Sequence, residues 1–232
     1  MSKLPGRPRC REVGVTIGRM VPGPLNAITD VPGVAVGHVT LISGEGPLVS
    51  GEGPIRTGVT AVLPHRGNLF REKVRAAIHV INGFGKATGL AQVGELGVLE
   101  TPLVLTNTLS VGAAWDALCE HMLKEDSDIG VRTGTVNPVV LECNDGFLND
   151  IRGRHVHKEH VLKALADARG GSVSEGNVGA GTGMSCLGWK GGIGTSSRRL
   201  TGNLKDNHLG VLVLSNFGSG EDLTIMGVPV GM

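Results

Sequence analysis

The chain contains no tyrosine, so no phenol hydroxyl stands anywhere along its 232 residues to donate a hydrogen bond. Its four cysteines, Cys10, Cys119, Cys143 and Cys186, lie far apart and form no Cys-x-x-Cys pair. That spacing argues against a zinc site or a disulfide framework and reads as buried or incidental thiols. The formal net charge is +1 and no block of five like charges occurs, which gives no electrostatic footprint for nucleic acid or anionic lipid. Small-molecule or peptide substrates fit better. No stretch approaches the roughly 20 apolar residues of a membrane span, and the basic segment 1–11 is not followed by a signal-peptide core. A cytoplasmic location without membrane attachment is expected.

Several catalytic fingerprints are also missing. No serine sits in a Gly-x-Ser-x-Gly elbow, so a Ser-His-Asp triad has no sequence support. Gly179, Gly181 and Gly183 alternate without making a dinucleotide fingerprint, and no glycine five residues before Gly85-Lys86 completes a phosphate loop.

What the chain has in quantity is glycine. Thirty-eight glycines and 11 prolines recur between short apolar runs, a pattern of many strands joined by tight turns. The glycines are densest between Ser174 and Arg198. Such a concentration implies positive φ angles or backbone in close contact with something. With phosphate disfavoured, the remaining reading is that two layers pack closely there, with Met184, Cys186 and Leu187 filling the space.

With 40% hydrophobic and 19% charged residues, the chain is expected to fold as one domain over 1–232. Strands are expected at 34–42, 57–63, 103–106, 135–141, 209–214 and 223–225. Helical spacing predicts helices at 72–81, stopping at Asn82-Gly83, at 111–123 with Ser110 as N-cap, and at 160–168 before Gly170-Gly171. Interleaved strands and helices predict an α/β or α+β layered domain.

Three constellations carry polar chemistry. His155, His157 and His160 have spacings compatible with zinc ligation, but Arg152, Arg154, Lys158 and Glu159 between them favour a solvated surface. Glu142, Asn144, Asp145, Asn149 and Asp150 follow a predicted strand, where they either line a site or form a turn through their own backbone. Asn216, after the strand at 209–214, is either a turn residue or an amide donor to an oxyanion.

Taken in order, Leu25 to His38, Ile55 to Thr60, Asn82 to Lys86, Thr106 to Gly112, the acidic strand end, the glycine segment and Gly227 to Gly231 resemble the L-aminopeptidase/D-esterase (β-aminopeptidase) family. Members are made as one precursor that cuts itself at a Gly-Ser bond, and the new N-terminal Ser of the smaller β chain is the nucleophile. This chain resembles the larger α chain, with the β chain absent and the nucleophile not in this chain. The resemblance implies a four-layer αββα sandwich similar to N-terminal-nucleophile hydrolases with different connectivity, assembled as a tetramer of αβ units. It also implies a hydrolase that removes N-terminal residues from short peptides, amides or esters with no metal or other cofactor. Asn216 falls at the family's oxyanion donor and Glu142 at an acidic position near the substrate amine. Phe147 occupies a substrate-binding position that is Tyr in some relatives, and it lacks the phenol donor. The alternatives are a self-processing acyltransferase of the ornithine-acetyltransferase-like type and a non-enzymatic ligand-binding remnant.

Overall fold

The computed structural model describes residues 8–231. In chain order the elements are β1 (Ala35–Ser43), β2 (Ile55–Leu63), β3 (Val74–Arg75), α1 (Leu90–Leu96), β4 (Val98–Leu99), β5 (Leu103–Asn107), α2 (Val111–Glu125), β6 (Val139–Cys143) and α3 (Lys158–Ala166). They are followed by β7 (Ser185–Cys186), β8 (Trp189–Lys190), β9 (Gly192–Arg199), β10 (His208–Ser215), β11 (Thr224–Ile225) and β12 (Val228–Pro229). The main sheet has the order β1-β2-β5-β6. Its first two pairings are antiparallel and β5 runs parallel to β6, as the crossover through α2 requires.

Both faces of this sheet are covered, so its strands alternate between two apolar environments. On one face Val39, Val59, Ala61, Val104 and Val140 meet Ala114 and Leu118 of α2 and Val161, Ala164 and Leu165 of α3. The α2 residues Val111, Ala114, Leu118 and Met122 recur at helical spacing and are all buried, which is why this segment is a helix. On the other face Val36, Val62 and Leu105 pack against Leu212 and Leu214 of the β9–β10 ribbon. The alternate residues of β10, Leu209, Val211 and Val213, remain 55%, 41% and 44% exposed on the ribbon's far side. The layered α/β class is thus observed, as helices, sheet and second sheet.

The glycine segment lies between these layers. A Cβ on Gly183 would stand 2.1 Å from the Arg56 carbonyl oxygen of β2 and 2.9 Å from Cβ of Asp145. Backbone approach, expected from composition, is what the glycines provide, and Met184 is fully buried beside them.

Three expectations need correction, and one long strand, β9, lies outside those expected. Residues 72–81 form no helix: Val74 and Arg75 pair with Leu99 and Val98, and the chain then continues without regular secondary structure, with Val80 and Ile81 exposed. Val74, Ile78, Val80 and Ile81 are β-branched, which disfavours a helix and suits pairing. Asn82-Gly83 is therefore a turn, in which Asn82 Oδ1 accepts the Phe84 N–H at 3.1 Å. Ser110 occupies the position before α2 but makes no side-chain cap, because it belongs to a 3-10 turn and its hydroxyl is buried. The strand expected at 135–141 begins later, at Val139, and runs on through Glu142 to Cys143. Strand β9 lies in the glycine segment, where Gly, Ser and Thr hide the apolar alternation.

On the ribbon side of the sheet, His38 Nδ1 lies 2.9 Å from Thr60 Oγ1, and its Nε2 is buried with no hydrogen-bond partner among the described residues. Burial pushes the imidazole down to about 4. The folded chain then holds His38 neutral at pH values where the unfolded chain, titrating near 6.5, takes up a proton. Stability is fully present above that value and falls as the pH drops toward 4, by up to roughly 3 kcal/mol. Urea unfolding at pH 7 and pH 4.5 is expected to show the decline, and a His38→Asn variant a shallower one. Equal declines in both proteins would refute the assignment.

Candidate functional site

The parallel pair β5–β6 ends with both strands' carboxyl ends on one edge, the usual location of sites in α/β sheets. Glu142 is the penultimate residue of β6, paired with Thr106, and Thr108 follows β5 directly. One carboxylate oxygen of Glu142 accepts the Thr108 hydroxyl, and the other accepts the Lys86 backbone N–H at 2.8 Å. The Lys86 ammonium turns away, bonding the Phe84 carbonyl and lying 3.9 Å from the centre of the Phe84 ring. Among the described residues no Lys, Arg or His forms an ion pair with Glu142. Its charge is thus oriented without being neutralised, which is the condition for binding an ammonium group.

Beyond Glu142 the chain turns. Asn144 Oδ1 accepts the Gly146 N–H at 2.8 Å, and the Asn144 carbonyl accepts from Asn216 Nδ2 at 2.9 Å. That bond joins the end of β10 to the end of β6, and Cys143 Sγ reaches the Leu214 carbonyl at 3.8 Å in the same seam. Glu142 and Asn216 are thereby brought to one corner of the two sheets. Burial and the neighbouring Glu142 carboxylate push the Cys143 thiol up to about 11, so it is no thiolate nucleophile at neutral pH. Phe147 stands on the turn after Asn144 and is 81% exposed.

The remaining acidic and amide groups of this stretch are structural. Asp145 is wholly buried and accepts from Asn149 Nδ2 at 3.0 Å, and burial raises its carboxyl above the usual range. Asn149 Oδ1 accepts the Arg56 N–H at 2.9 Å, and Asp150 accepts from Gly51 N. The turn reading of 142–150 is observed for Asn144, Asp145, Asn149 and Asp150, and Glu142 alone stands apart from it at the strand end. The three histidines line one open pocket beside β1, but His155 Nε2 is taken by Asp150 at 3.0 Å while His157 and His160 stack on each other at 5.6 Å. Among the described residues no three His, Cys, Asp or Glu converge on a metal position.

Thr108 and the Lys86 N–H were not foreseen as supports of Glu142. The signal was present: Asn82 to Lys86 and Thr106 to Gly112 are two of the segments that carry the family resemblance.

The sequence pattern of peptidase family S58 matches residues 26–232. The beta-peptidyl aminopeptidase of Sphingosinicella microcystinivorans is 48% identical over 224 residues, covering 97% of this chain and 55% of that protein. A solved protein of Pyrococcus horikoshii OT3 superposes with a TM-score of 0.93 at 58% identity, over 96% of this chain and 63% of that one. The L-aminopeptidase D-Ala-esterase/amidase of Ochrobactrum anthropi superposes with a TM-score of 0.86 at 40% identity, over 97% and 62%. That enzyme is described as a prototype of the serine aminopeptidases and a new variant among the Ntn hydrolase fold. The chain spans about half the length of the curated relatives it matches. No helix of the described residues is long and apolar enough to cross a membrane. With the family pattern matched over residues 26–232 and a curated relative 48% identical over 97% of this chain, the chain belongs to peptidase family S58.

Proposed function

We propose that this chain is the larger part of a serine-type aminopeptidase that releases N-terminal residues from short peptides, amides or esters. The nucleophile is the N-terminal Ser of a second chain cut from the same precursor. The observation that carries this reading is the corner itself, an oriented and uncompensated Glu142 carboxylate joined through the Asn144 turn to the Asn216 amide. The names of the relatives and their greater length support it. So do Leu209, Val211 and Val213, an apolar ribbon face suited to cover by further chain.

In this mechanism the substrate ammonium binds Glu142, and Phe147 offers an apolar wall without a phenol donor. The serine hydroxyl attacks the carbonyl carbon while its own α-amine takes the proton. The carbonyl oxygen becomes an oxyanion that Asn216 Nδ2 stabilises. Collapse breaks the bond to the leaving group, which takes the proton, and water then cleaves the acyl-enzyme. No metal or cofactor enters. The αβ units associate as a tetramer, and the unpaired cysteines suit a reducing cytoplasm.

Expression together with the segment that follows in its reading frame is expected to yield a second chain starting with Ser, and hydrolysis of aminoacyl p-nitroanilides. In that enzyme Glu142→Gln should raise KM about 10-fold or more with kcat little changed, as loss of a charge-assisted contact would. Hydrolysis by the 24.0 kDa chain alone would overturn the proposal.

A further inference from the structure

The glycine segment does more than fill the space between layers. Strands β7 and β8 form a hairpin through Leu187 and Gly188, both at positive φ (51° and 73°), the conformation of a tight two-residue hairpin turn. The tip of this hairpin grips the stretch that carries Asn216. The Leu187 N–H donates to the Phe217 carbonyl at 2.7 Å, and a Cβ on Gly218 would lie 2.5 Å from Leu187 Cδ2. At the hairpin's base, a Cβ on Gly191 would lie 2.4 Å from the Ser215 carbonyl oxygen. Asn216 is thus held from the residue before it and the residue after it by one hairpin.

Two side chains fasten the hairpin: Ser185 Oγ donates to the Trp189 carbonyl at 3.3 Å, and Lys190 ties both of its ends to the backbone. Lys190 Nζ donates to the carbonyls of Gly181, Met184 and Gly191, each at 2.9 Å. The three acceptors lie on both sides of the hairpin, so one ammonium ties its two ends together. Gly191 N–H adds a bond to the Met184 carbonyl at 2.8 Å. Charge-assisted bonds to fixed carbonyls are stronger than neutral ones, so removing the ammonium loosens the backbone against which Ser215 rests.

We propose that Lys190 is a positioning residue for the reaction, acting through the 185–191 hairpin to hold the Asn216 amide at the oxyanion. This rests on the assignment of Asn216 as oxyanion donor given above. Misplacement of a catalytic group by an ångström can cost about 100-fold, so Lys190→Met in the processed enzyme is expected to lower kcat about 10- to 100-fold with KM within about 2-fold. Because the effect passes through Asn216, adding Lys190→Met to Asn216→Ala should cost less than about 2-fold further, a non-additivity that general loosening of the fold would not give. Lys190→Gln, which keeps amide donors, should fall between Met and wild type.

If Asn216→Ala itself leaves kcat unchanged, the assignment of Asn216 fails. If Asn216→Ala is severe while Lys190→Met matches wild type, or its loss adds fully to that of Asn216→Ala, the positioning role of Lys190 fails. Failure of both Lys190 variants to fold would make Lys190 a structural fastener only and equally overturn the proposal.

Discussion

Replacing Asn216 by alanine is expected to lower kcat of the processed enzyme about 100- to 1000-fold, the equivalent of about 3 kcal/mol of transition-state stabilisation. An amide nitrogen carries two hydrogens, and here one is committed to the Asn144 carbonyl at 2.9 Å. The committed bond fixes the plane of the amide and thereby aims the second hydrogen, so the donor need not reorganise when charge develops on the substrate oxygen. Loss of a contact made in the transition state lowers kcat and kcat/KM together and leaves KM nearly constant. Asn216→Asp should be no better than alanine, since it replaces the donor with a carboxylate that repels an oxyanion. Steady-state kinetics on an aminoacyl p-nitroanilide decides the matter: a kcat for Asn216→Ala within 3-fold of wild type would remove the residue from the mechanism.

Gly183→Ala should be strongly damaging. Its Cβ would lie 2.1 Å from the Arg56 carbonyl oxygen, an atom of the paired strand β2 that cannot rotate away. The second contact, 2.9 Å to Cβ of Asp145, pushes on the buried turn from which Asn144 emerges. Overpacking of this kind costs about 3 kcal/mol, and here both obstacles are backbone or rigidly bonded. A urea midpoint reduced by the corresponding amount, or failure to fold, is the expected result. Gly194→Ala, where a Cβ meets nothing within 4 Å, serves as control. Equal stability of the two variants would mean that the layers are not in contact at Gly183.

The layered α/β class was legible because β1, β2, α2, α3 and β10 each carry an apolar period long enough to read. Where the period was short or diluted the sequence misled. Residues 72–81 have helical spacing at Val74, Ala77, Ile78 and Ile81, yet β-branched side chains and a strand partner at 98–99 for Val74 and Arg75 decide against a helix. Strand β9 offers only Ile193 as a buried large apolar side chain, so its pairing with β10 is visible only in three dimensions. At the site, Glu142 and Asn216 were candidates from their places at strand ends and drew their roles from the resemblance, while their supports had neither signal. A backbone N–H from Lys86 has no side-chain signature, and the threonine that bonds Glu142 looks like any other.

The close approach at Gly183 also bears on how such a chain can diverge. A catalytic side chain is kept by its chemistry and can be exchanged when another group performs the same step. Here the position is closed by an oxygen atom standing where a methyl group would go. No substitution compensates for that except a shift of the whole strand, which would move the Asn144 turn with it. Surface loops can drift and the substrate pocket can change its walls, but this stretch of chain has no neighbouring sequences to move to.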